Sequence, residues 1–182
     1  MNTSQKFLRF ASLALLVFAV ALAQSLSPVA AAPQGQAKIL SSTDINAHLF
    51  PATVFFHGQT ATSQLDNSGG VAFSDGSLVL AALVDNSGYS TQIRMKYQGY
   101  LITEVAIEIG GQTLKPGAYG FGFLDNNQFA VMDLGANDVL SAASTHDTAI
   151  SHPVPLQIVA TPDAANYRLY HGRDYVEFHR AR

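Results

Sequence analysis

Thr145-His146-Asp147, followed by His152, places two imidazoles and a carboxylate within eight residues of chain. A neutral imidazole binds zinc or takes up a proton near neutral pH, so such a set could hold a metal or act as the base of a small hydrolase or isomerase. The spacing matches no established zinc site, and Pro153 and Pro155 mark the segment as a surface connection. A solvated loop is the stronger reading of His146, Asp147 and His152, and no metal or cofactor is expected. His57, His171 and His179 read as structural residues, the last two on opposite faces of one hairpin.

The second candidate is apolar. Tyr119, Phe121 and Phe123 recur at every other position, so in a strand they share a face, while Gly120 and Gly122 leave the opposite face bare. An aromatic wall backed by glycine suits a pocket for a small apolar ligand. It also suits the middle of a sheet core, the commoner use of such a stripe. Asp66-Asn67-Ser68-Gly69 and Asp85-Asn86-Ser87-Gly88 carry oxygens that calcium could use, yet neither opens a twelve-residue loop ending in Glu. Tight turns use the same residue types, and turns are the reading preferred here. No G-x-S-x-G elbow, H-E-x-x-H pair, phosphate-binding loop or dinucleotide G-x-G-x-x-G is present.

Composition narrows the classes further. The 182 residues contain no Cys, which removes disulfides, thiolate metal sites and cysteine nucleophiles. A net charge of −3 argues against a protein that neutralises nucleic-acid phosphates. Lys6 and Arg9 precede an uncharged run from Phe10 to Ala23 that ends in Ala21-Leu22-Ala23. Basic start, apolar centre and small-residue exit read as a signal peptide over residues 1–23, with a second cleavage position after Ala31. The run is shorter than the roughly 20 apolar residues a bilayer span needs. After cleavage no stable membrane span is expected, and the chain is placed in the periplasm or outside the cell. Residues 24–36 form a small, Pro-containing leader, and residues 37–182 a single β-rich domain.

The positioning elements are mostly strands. From Lys38 onward, short apolar runs alternate with Gly, Asn, Asp, Ser and Pro every eight to twelve residues, the rhythm of an all-β antiparallel sandwich or partly open barrel. One or two short helices at most are expected, with a turn or two of helix at Thr43–Phe50 and at Asn137–Ala143. Ser77 to Val84 is apolar on both faces and reads as a covered strand. Thr91, Ile93, Met95 and Tyr97 alternate with polar residues, which predicts a half-buried strand. It would turn at Gln98-Gly99-Tyr100 into a second strand from Leu101 to Ile109, setting Arg94 opposite Glu104 and Ile93 opposite Val105. Lys115-Pro116-Gly117 predicts a type II turn with Gly117 at positive φ. A two-residue turn at Gly172-Arg173 pairs His171 with Asp174, Leu169 with Val176 and Arg168 with Glu177.

The stretch YLITEVAIEIGGQTLKPGAYGFGF at Tyr100–Phe123, with Phe129-Ala130-Val131-Met132-Asp133 and Tyr167-Arg168-Leu169-Tyr170, resembles a group of exported bacterial β-rich proteins with no assigned function. The resemblance spans roughly Asp44 to Phe178. Leu114 to Tyr119 follows an L-x-P-G-x-Y pattern that recurs before strands in secreted β-sandwich modules. The resemblance implies export and a β-rich fold, without activity or site residues. The resulting expectation is a binding or accessory envelope protein, with a small hydrolase or isomerase and an adhesive surface protein as alternatives.

Overall fold

The computed structural model describes residues 36–163 and 165–182. The expected signal segment and the leader up to residue 35 lie outside the described residues. In chain order the elements are β1 (Lys38–Leu40), β2 (Thr53–Phe56), β3 (Gln59–Ala72), β4 (Leu78–Val84), α1 (Thr91–Lys96), β5 (Gly99–Thr103), β6 (Ile107–Ile109) and β7 (Gln112–Leu114). They continue with β8 (Gly117–Leu124), β9 (Gln128–Met132), β10 (Asp138–Ala143), β11 (Thr145–His146), β12 (Leu156–Ala160), β13 (Tyr167–His171) and β14 (Asp174–Arg180).

The strands form two antiparallel sheets. The larger runs β1-β3-β4-β5-β8-β9-β10, with β2 also paired to β3; the smaller runs β12-β13-β14-β6-β7, with β11 paired to β14. Among the described residues neither closes on itself, so there is no closed barrel, and the two antiparallel sheets share one core. Val71, Leu101, Phe121 and Val131 of the larger sheet pack with Ile107, Ile158, Leu169 and Phe178 of the smaller. The other face of the larger sheet is covered too: Leu80, Ala82, Tyr100 and Met132 pack with Phe50, Phe56, Tyr89 and Tyr97 from β2 and the connections. Two covered faces explain why β4 is apolar on both sides.

Several local readings match. Across β13 and β14 His171 faces Asp174, Leu169 faces Val176 and Arg168 faces Glu177, with Gly172 at φ +62° in the turn. That register buries Tyr167, Leu169, Val176 and Phe178 together. β8 and β9 pair around a turn at Asp125-Asn126-Asn127.

Other readings are corrected. Residues 91–96 are helix α1, not a strand, so the Arg94–Glu104 and Ile93–Val105 pairings do not exist. Six residues are too few for period-two and helical patterns to separate, and Ser90 settles the matter by accepting the Ile93 N–H at its start. Leu101–Ile109 is not one strand: the chain turns a corner after Thr103 and passes from the larger sheet to the smaller. Leu78 N–H donates to the Glu104 carboxylate at 2.8 Å, holding that corner. Gly117 opens β8 without a positive φ; the left-handed pair is Gly110 (+56°) and Gly111 (+76°), which turn β6 into β7. The Leu65–Gly69 segment is a bulge inside β3, where the register with β4 shifts between Gln64 and Ser68. Asn137–Ala143 contributes β10 rather than helix, and Thr43–Phe50 makes isolated turns.

Candidate functional site

β8 outruns its neighbour β5, and that difference in length creates the site. The two strands pair from Thr103↔Gly117 to Gly99↔Phe121, so Phe123 has no strand partner on that side. Gln98 takes its place. Its Nε2 donates to the Phe123 carbonyl at 2.9 Å and its Oε1 accepts the Phe123 N–H at 2.8 Å, continuing the ladder with a side-chain amide. The Gln98 N–H donates to the Phe121 carbonyl at 2.8 Å. The end of α1 is thereby tied to β8.

The glycines of β8 make this approach possible. A Cβ on Gly122 would overlap the Lys96 carbonyl oxygen and lie 2.8 Å from its carbonyl carbon. A Cβ on Gly120 would lie 2.5 Å from Phe56 Cε2 and 2.9 Å from Tyr97 Cδ2. Tyr97 stacks on Phe56 with centroids 3.9 Å apart, and Tyr89 meets Tyr97 at 5.2 Å. These two tyrosines, one on each side of α1, are both buried, whereas no residue of the helix itself is. The 85–98 segment is held at its ends and rests lightly in between.

An open groove of about 630 Å³ lies between α1 and the β8–β9 turn. Gln92, Met95, Lys96 and Gln98 line one side. Phe123, Leu124, Asp125 and Asn126 line the other. Met95 is 60% exposed, unusual for so apolar a side chain. Phe123 is almost buried, at 7% exposure, and His171 stacks behind it at 5.9 Å and 20°. Burial pushes the His171 imidazole below its ordinary value, and nearby Asp174 opposes the shift only in part. Lys96 reaches Asp138 at 2.8 Å and 3.1 Å, one contact to each carboxylate oxygen. The arrangement offers an apolar floor with a mixed polar rim.

The aromatic stripe of the sequence is divided by this geometry. Phe121 is fully buried between the sheets, and Tyr119 is half-buried with its hydroxyl donating to the Lys115 carbonyl at 2.9 Å. Gly120 and Gly122 face the second core, where Phe56, Tyr97 and the Lys96 backbone fill the space above them. Phe123 alone of the five reaches the groove. Gln92, Met95 and Lys96 escaped sequence reading because residues 91–97 were assigned to a strand. Ser90 ahead of Thr91 was the available signal for a helix start.

The histidine set is dispersed among separate partners. His146 Nδ1 lies 2.7 Å from Asp174 Oδ1. Asp147 accepts the Ala149 N–H and the Tyr170 hydroxyl, each at 2.9 Å, and these bonds hold its carboxyl below the usual carboxylate range. His152 pairs with the Ser151 hydroxyl at 3.0 Å. Among the described residues no three His, Asp or Glu side chains are gathered for a metal. His57 occupies the β2–β3 turn at φ +47°, its backbone N–H donating to Leu134 and its Nδ1 lying 3.0 Å from the Gly135 carbonyl. A second, polar hollow of about 730 Å³ lies beside Glu108, His179 and Arg180, and Arg180 is already paired to Asp75 at 2.7 Å.

No helix among the described residues is long and apolar enough to cross a membrane. No family profile matches the chain, and comparison with curated proteins and with solved structures returned no match.

Proposed function

We propose that this chain is an exported binding protein that takes a small, largely apolar molecule in the groove between α1 and the β8–β9 turn. The observation that carries the reading is the apolar floor of Met95, Phe123 and Leu124 at an opening of about 630 Å³, within the ordinary size of small-molecule sites. Export to the periplasm or beyond rests on the basic start, apolar run and small-residue exit of residues 1–23. Titration with the neutral dye Nile red tests the binding step. Saturable fluorescence enhancement is expected, and Met95→Ala should weaken it by about fivefold, the loss of roughly 1 kcal/mol of apolar contact. Absence of saturable binding by the folded wild-type protein would refute the reading.

A hydrolytic role is the second reading, and one observation favours it. Asp174 holds the Nδ1 side of the half-exposed His146 ring, the arrangement that orients an imidazole as a base. Turnover of ester or amide substrates that disappears in His146→Ala would bring this reading forward.

A further inference from the structure

We infer that the groove selects a cationic amphiphile, a molecule with an apolar body and a protonated amine, in preference to its neutral or anionic counterparts. This rests on the binding reading above and follows from the charges at the rim. Among the described residues two ionisable groups line the groove, Lys96 and Asp125. The Lys96 ammonium already gives two contacts to the carboxylate of Asp138, which lies outside the lining, so its charge is largely offset and its pull on an incoming anion is reduced. Asp125, exposed in the β8–β9 turn, makes no ion pair with any described residue. His171, behind Phe123, is held neutral by its burial and adds no positive charge from that side. One carboxylate is left over at the mouth of an apolar floor.

The carboxylate also stands in the right place. Asp125 lines the same groove as Met95 and Leu124 and directly follows Leu124, so a chain resting on Leu124 brings its head group to the turn. Gln92, Gln98 and Asn126 supply only neutral amides around it. Because Asp125 is exposed, the attraction is screened, and the preference is that of a surface ion pair, about two- to fivefold.

Displacement of Nile red by n-octylamine, n-octanol and octanoate reads the head group with the chain held constant. Octylamine is expected to compete at about two- to fivefold lower concentration than octanol, and octanoate to be the weakest. Asp125→Asn, isosteric and acceptable in a turn, should remove the amine advantage, so that octylamine and octanol compete at the same concentration. Asp138→Asn frees the Lys96 charge from outside the groove and should shift the order toward octanoate. Equal competition by all three compounds, or an amine preference that survives Asp125→Asn, would overturn the inference while leaving apolar binding intact. Failure of Nile red itself to bind would overturn both.

Discussion

The closest contact in the site is also its most exacting, and Gly122→Ala perturbs it with one methyl group. The added Cβ would overlap the Lys96 carbonyl oxygen and come within 2.8 Å of its carbon, where two carbons need roughly 3.5 Å. Both obstructing atoms are backbone, so no rotamer change relieves them. The C-terminal end of α1 must lift by on the order of 1 Å, pulling against the two Gln98–Phe123 hydrogen bonds and the Tyr97–Phe56 stack. Overpacking of this kind costs about 3 kcal/mol when backbone must shift. For a domain of this size that lowers Tm by about 6–12 °C. Gly111→Ala is the control: nothing lies within 4 Å of the added carbon, and only the +76° φ is strained, at about 1 kcal/mol. Thermal melts of both variants, with Nile red titrations below the transition, should show Gly122→Ala as the larger loss and the one that weakens binding. A Gly122→Ala protein with wild-type Tm and wild-type affinity would refute the account of how α1 is seated.

Phe121, fully buried between the sheets, should cost about 3–5 kcal/mol when truncated to Ala, read as a fall in the urea midpoint. The Tyr97 hydroxyl is buried with no hydrogen-bond partner among the described residues, so Tyr97→Phe should hold or raise stability, by up to about 1 kcal/mol. A clear loss would show that the hydroxyl has a partner. His171 has its folded pKa below the ordinary 6.5, so the unfolded chain binds its proton first. Its contribution to stability is whole above pH 6.5 and declines as pH falls from there toward the folded value. Urea midpoints measured on that descent should depend less on pH in His171→Phe than in the wild type, and an unchanged slope would contradict the assignment.

Hairpins whose two strands follow each other were legible because each register has an independent check in which residues it buries. A one-residue slip in β13–β14 would drive Arg168 into the set that holds Leu169 and Val176, so the pattern has one solution. The 91–109 segment offered an internally consistent register too, and it was wrong. Its partners are not each other: β5 lies between β4 and β8, and β6 belongs to the other sheet. Alternation cannot reveal a change of sheet, because the strand on each side of the corner keeps its own period. The site inherited that limit. Phe123 was visible as the end of an aromatic stripe, whereas Met95 was assigned to the dry face of a strand and emerges as the most exposed of the groove's apolar side chains. Gly120 and Gly122 were read as the bare backing of a ligand pocket, and what approaches them is the protein's own Lys96 backbone and the Phe56 and Tyr97 rings.

The central claim, that the groove beside α1 is where a ligand binds, is tested most directly by amide chemical-shift mapping of the ¹⁵N-labelled protein during titration with n-octylamine. The account predicts saturable shifts gathered at Gln92–Gln98 and Phe123–Asn126, with the smaller sheet's outer strands unmoved. Shifts centred on Glu108 and His179–Arg182, or none that saturate, would contradict it.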